Sequence, residues 1–179
     1  MRYRFTVKDY HRMAEADIFD PDDRVELIDG EVVEMSPMGT PHGAVVARLT
    51  ELFVLAVHGR AIVRPQLPMQ VGDFSELEPD IAVIHYRANY YSDHHPMPPD
   101  DVLLVIEVAE SSLRYDLDRK TPLYIAGGVP EVWVVDLVTD TLHVARGGKT
   151  VQLRPGDSVA PAAFPDLVLE VADILGPVG

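Results

Sequence analysis

The sequence predicts a mixed α/β (α+β) domain, with a central mixed β-sheet flanked by helices. Three observations predict it. Short apolar runs of strand length alternate with stretches whose apolar residues recur at helical spacing. Two pairs of turn residues, Asp29-Gly30 and Gly147-Gly148, each separate two apolar-rich segments, the pattern of a β-hairpin. The composition, 47% hydrophobic and 25% charged over 179 residues, suits a folded chain with a sizeable core. Neither repeats nor a low-complexity linker divide the sequence, so residues 1–179 are read as a single domain.

The elements follow in order. Thr6 and Asp9 form a capping pattern, with Tyr10, Met13 and Ala14 at helical spacing behind them; this predicts a short N-terminal helix from about Val7 to Ala16. Arg24 to Ile28 and Glu31 to Met35 form the first hairpin around Asp29-Gly30. After the Ser36–Pro41 break a helix runs to about Val57, burying Val45 or Val46, Leu49, Leu52, Phe53 and Ala56, with Gly59 as C-cap. Ala61 to Arg64 and Pro68 to Val71 read as short strands. Asp80 to Ile84 and Val102 to Ala109 read as buried ones, joined by a long polar loop, His85 to Asp101. A helix from about Tyr115 to Ala126 ends at Gly127-Gly128, although Pro122 should delay its start or bend it. Glu131 to Asp136 is a further apolar strand. Leu142 to Arg146 and Lys149 to Leu153 make the second hairpin, and short strands with a helical turn near Val171 to Leu175 finish the chain.

Charge and composition exclude several classes. There is no cysteine, hence no disulfide, thiolate nucleophile or cysteine-rich zinc site; a cytoplasmic location is the expectation. The N-terminal residues lack the apolar core of a signal peptide, and no run is long enough for a membrane helix, so no membrane association is expected. A net charge of −14 opposes tight non-specific binding to nucleic acid, unless metal ions reverse the sign inside a cleft.

The informative residues are carboxylates in apolar company. Glu107 interrupts the run Val102 to Ala109. A lone buried carboxylate needs a partner, a metal or a raised pKa; otherwise Glu107 sits at an exposed strand end. If the two buried strands pair antiparallel with Ile84 opposite Leu103, Asp80 falls opposite Glu107 on the same face. Two like charges there ask for a cation, and an oxygen-only donor set suits Mg²⁺ or Mn²⁺. Lys120 shares a helical stripe with Leu113, Leu117 and Tyr124, so its ammonium either reaches these carboxylates or makes a solvated pair with Asp116. Glu26 is a fourth site candidate, which strand alternation alone would turn toward solvent.

Glu26-Leu-Ile-Asp-Gly-Glu31, Met35-Ser-Pro37, His42-Gly43, Pro79-Asp80, Ile106-Glu-Val108, Tyr115-Asp116, Lys120, Tyr124, Gly128-Val-Pro-Glu131, Trp133 and Val135-Asp136 occur in that order. In this order and spacing the sequence, over roughly residues 7–140, resembles the Uma-type restriction-endonuclease family, bacterial proteins with the PD-(D/E)-x-K nuclease fold. The resemblance implies a restriction-endonuclease-like core and Mg²⁺ (or Mn²⁺)-dependent hydrolysis of DNA. It implies a metal site built from Asp80 and Glu107, with Glu26 as a further acid; the carbonyl of Val108 is the expected extra ligand. The usual lysine position, two residues after the second acid, holds Ala109 here, and the resemblance assigns the lysine to Lys120 on the following helix. A homodimer that cuts both strands is the expectation by analogy.

Two other readings compete. A non-catalytic binding or interaction module on a nuclease-like fold would explain the scarcity of basic residues: Arg114, Arg119 and Lys120 near the site, Arg48 and Arg64 elsewhere. Asp93-His94-His95 could belong to a metal site of another hydrolase class, although adjacent histidines lack a diagnostic spacing. His42 at the entry to a helix either touches substrate or is one of the polar residues common there, and Trp133 reads as core packing.

Overall fold

In the computed structural model, which describes residues 2–20 and 22–176, Thr6 and Asp9 cap α1 (Val7–Glu15) reciprocally. Asp9 N–H donates to Thr6 Oγ1 at 3.1 Å, and Thr6 N–H donates to the Asp9 carboxylate at 3.0 Å. Asp29 and Gly30 then turn β1 (Val25–Ile28) into β2 (Glu31–Glu34), with φ of 51° and 81°. Both lie in the left-handed region that a two-residue type I′ hairpin requires.

The chain continues through α2 (Thr40–Ala56), β3 (Ala61–Pro65), β4 (Met69–Val71), β5 (Ser75–Leu77), β6 (Ile81–His85) and β7 (Val102–Ala109). A continuous helical segment follows: α3 (Leu113–Tyr115), a π-helical turn (Asp116–Lys120) and α4 (Thr121–Ala126). It leads to β8 (Glu131–Asp136), β9 (Thr141–Arg146), β10 (Lys149–Leu153), β11 (Ser158–Val159), β12 (Leu169–Glu170) and α5 (Val171–Leu175). No described helix is long and apolar enough to cross a membrane.

A six-stranded sheet, ordered β10-β9-β8-β7-β6-β3, is antiparallel except where β7 lies parallel to β8. Parallel neighbours need a crossover, and the segment from α3 to α4 supplies it. A smaller sheet, ordered β2-β1-β5-β4, packs on one side. One face of the large sheet, with Ile81, Val83, Leu104, Ile106 and Trp133, meets Val45, Val46, Leu49 and Phe53 of α2 and Ile174 of α5. The other face, with Ala82, Val105, Ala109 and Val134, meets Tyr124 of α4 and Ile28, Met69 and Leu77 of the small sheet.

The β6–β7 register decides where the carboxylates fall. Ile81 pairs with Ile106, Ala82 with Val105 and Val83 with Leu104, as expected at the Asp80 end. The expected pairing of Ile84 with Leu103 is not made. A register irregularity after Val83 sets Ile84 opposite Val102, at the end of the ladder remote from Asp80. Nor is the long loop simply polar and open. Tyr91 and Met97 are buried in it, and Tyr91 Oη–H donates to the His85 carbonyl at 2.9 Å.

Candidate active site

Asp80 immediately precedes β6, on the face shared by Ala82 and Ile84, and Glu107 shares that face from β7. The two acids meet through the backbone as well. Asp80 N–H donates to Glu107 Oε2 at 3.3 Å, and Val108 N–H donates to Asp80 Oδ2 at 2.7 Å. In an extended strand the N–H and C=O of one residue point to the same side. The Val108 carbonyl therefore faces the β6 side of its strand, toward Asp80.

Lys120 reaches this pair from the crossover. Its Nζ lies 3.0 Å from the Glu26 carboxylate and 3.5 Å from Glu107 Oε1. The solvated pair with Asp116 is thus not its role: Lys120 is buried, as is Asp116, whose carboxylate accepts from Ser112 Oγ–H at 2.5 Å. Tyr124, one helical turn on, donates from Oη–H to Glu107 Oε1 at 2.7 Å. Pro122 neither delays nor ends the helix. The segment passes it by widening into the π turn, in which Thr121 N–H donates to the Asp116 carbonyl. Such a turn accommodates a proline ring that would crowd the preceding turn of an α-helix.

Glu26 corrects the expectation from alternation. It is 4% exposed and points inward, because the small sheet lays this face of β1 against the crossover segment. Its Oε1 also accepts the Glu78 N–H at 2.7 Å. Alternation within the hairpin alone does not show that a second sheet, β2-β1-β5-β4, covers this face.

These groups line a cavity of about 330 Å³. Glu26, Glu34, Glu78, Asp80, Glu107, Glu110 and Asp116 face it against the fixed cations Arg24 and Lys120, and Arg24 is engaged by Glu78 at 3.2 Å. Burial, reinforced by Asp80 and Asp116 and opposed by Lys120, pushes the Glu107 carboxyl up to about 8. Burial also raises Asp116, against the Ser112 hydrogen bond. For Lys120, desolvation favours the neutral amine, but Glu107, Glu26 and Asp116 outweigh it and hold the ammonium above its usual range. The cavity lining carries more carboxylates than its fixed cations, Arg24 and Lys120, can pair.

That imbalance and the oxygen donors fit a hard divalent cation. Among the described residues no three His, Asp or Glu side chains already converge as a cage for an ion. Asp80, Glu107 and one carbonyl would leave such an ion largely hydrated, the usual state of protein-bound Mg²⁺. The Asp93-His94-His95 segment adds nothing to the cavity: His94 pairs with its neighbour Asp93 at 2.7 Å. Trp133 is core, as expected, its ring 5.9 Å from that of Phe53.

Neither reading of His42, substrate contact or simple helix-entry polarity, includes a contact with Asp80. The His42 Nε2 hydrogen-bonds Asp80 Oδ2 at 3.1 Å, and that bond, against some desolvation, raises the imidazole pKa. The missed signal was periodicity, since His42 precedes Val45 and Val46 by three and four residues on the buried stripe of α2.

The mixed sheet flanked by helices, with Asp80 and Glu107 on neighbouring strands and Lys120 reaching in from the crossover, defines a mixed α/β protein with an acidic cleft. The chain belongs to the Uma2 family, described as putative restriction endonuclease, whose model matches residues 7–172. Its fold is similar to the crystal structure of a putative nuclease from Anabaena variabilis belonging to DUF820. The TM-score is 0.77 at 17% sequence identity, covering 96% of this chain and 97% of that one. No curated protein matches the sequence.

Proposed function

We propose that this protein is a divalent-metal-dependent endonuclease that hydrolyses phosphodiester bonds in DNA. The observation that carries the reading is the meeting of Asp80 and Glu107 on one sheet face with the Lys120 ammonium between Glu107 and Glu26. Asp80, Glu107 and the Val108 carbonyl are the groups that would hold Mg²⁺ or Mn²⁺. An ion held there would supply Lewis acidity toward a scissile phosphate and an attacking water. Lys120 orients that water and stabilises the negative charge that builds on the phosphate. Glu26 holds the ammonium in place and offers a proton relay. Tyr124 fixes Glu107 Oε1, which leaves Oε2 as the oxygen nearer Asp80.

The test is cleavage of plasmid DNA in Mg²⁺ or Mn²⁺ by wild type and by Glu107→Ala. Wild type should nick the plasmid, and the variant should be slower by about 10²-fold or more, the scale for loss of a transition-state stabiliser. Equal rates would remove Glu107 from the chemistry. A second reading, a non-catalytic module on the same fold, is favoured by the acidic cavity lining. Mn²⁺ titration separates the two, because a module without turnover needs no ion at Asp80 and Glu107.

A further inference from the structure

Asp80 lies one residue outside the β6–β7 ladder, so strand pairing does not fix its side chain. Two hydrogen bonds do. Val108 N–H approaches Oδ2 from β7 at 2.7 Å, and His42 Nε2 approaches the same oxygen from α2 at 3.1 Å. Oδ1 accepts no hydrogen bond from the described residues. A carboxylate oxygen has two in-plane lone pairs. Two donors on Oδ2 therefore set the plane of the group and leave Oδ1 for another partner.

His42 is costly where it stands. It continues the stripe of Val45, Val46, Leu49 and Phe53 that packs on the sheet, and its side chain is 12% exposed. Its Nδ1 is buried with no hydrogen-bond partner. A buried polar atom left unpaired opposes folding, whereas an apolar residue would simply lengthen the stripe. What the imidazole gains at this position is its contact with Asp80. Departures from local consistency of this kind gather at functional sites.

We infer that His42 is a positioning residue: by donating from Nε2 to Asp80 Oδ2 it holds that carboxylate so that Oδ1 can take a divalent cation. The inference rests on the metal-site reading above and adds to it a third structural element, α2, as the part that aims the ligand. Its role resembles that of outer partners of metal ligands generally, whose removal weakens metal binding about 10–100-fold.

The experiment is Mn²⁺ binding to the full chain by calorimetry, alongside thermal melting, for wild type, His42→Leu, His42→Gln and Asp80→Asn. Leucine suits the apolar stripe and lacks a donor; glutamine places an amide N–H near the position of Nε2. Wild type should bind Mn²⁺ and Asp80→Asn should lose it. His42→Leu should bind about 10-fold or more weakly, and His42→Gln should regain most of the affinity. If His42→Leu binds like wild type while Asp80→Asn does not, the imidazole serves packing alone and the inference fails. It fails equally if His42→Gln is as weak as His42→Leu with a wild-type melting temperature. If wild type and Asp80→Asn bind alike, the metal site itself is wrong and the role of His42 falls with it.

Discussion

Replacing Lys120 with methionine removes an ammonium held between two carboxylates and leaves its hydrocarbon stem nearly intact. Nζ lies 3.0 Å from the Glu26 carboxylate and 3.5 Å from Glu107 Oε1, and the three side chains are 4–9% exposed. Removing one partner of such a buried group costs about 3–5 kcal/mol, because the uncompensated charges stay behind. The cost should depend on pH. Glu107 has a folded value of about 8 against an ordinary 4.5, so the folded state holds the proton more tightly than the unfolded state. The stability this contributes is fully present below pH 4.5 and is lost as pH rises toward 8. Lys120 moderates the rise, and without it the Glu107 value moves higher still. The variant should therefore lie near the lower bound at pH 6, where Glu107 is protonated, and near the upper bound at pH 8.5. Urea unfolding followed through the fluorescence of Trp133, the single and fully buried tryptophan, measures both. Adding Glu26→Gln should restore a substantial part of the loss. A variant within about 0.5 kcal/mol of wild type at both pH values would refute the claim that the ammonium neutralises buried charge.

Glu107→Gln should lose plasmid cleavage yet unfold at equal or higher urea than wild type at pH 8, because it deletes a carboxylate that burial disfavours. Glu131 is wholly buried and accepts from Trp133 Nε1–H at 2.8 Å and from Ala162 N–H at 2.6 Å, tying β8 to the C-terminal segment. Glu131→Ala orphans both donors and should cost about 2–4 kcal/mol in the same assay. Burial holds the His143 imidazole below its usual 6.5, against a small opposing pull from Asp136. Its contribution is complete above pH 6.5 and lost as pH falls through the lowered folded value, so His143→Leu should flatten the loss of stability measured as pH falls below 6.5.

Much of the large sheet was legible in residue pattern. Gly147 and Gly148 form the second hairpin with φ of 58° and 74°, and β7 and β8 are the apolar runs the sequence showed. The register assumed from Ile84 opposite Leu103 holds only at the Asp80 end, from Ile81–Ile106 to Val83–Leu104, where Asp80 and Glu107 meet. The far end failed at an irregularity, which no alternation pattern announces. The burial of Glu26 and the contact of His42 with Asp80 were hidden from the sequence for a shared reason. Each residue lies on an element whose own periodicity is clear but whose covering layer comes from distant chain. β5, three residues of Ser-Glu-Leu, is too short and polar to read as a strand, yet it joins β1 to β4 and makes the cover over Glu26 possible. Lys120 was ambiguous because Asp116, four residues back, offered a cheaper local partner.

The π turn at Asp116–Lys120 sits in a helical segment moored at both ends in neighbouring parallel strands. A helix advances about 100° per residue. Removing one residue within that turn would change the angular phase between Asp116 and Lys120, the two ends of the turn. The contact of the ammonium with Glu107 thus depends on angular phase as much as on the sheet, and the length of one winding sets whether the two meet.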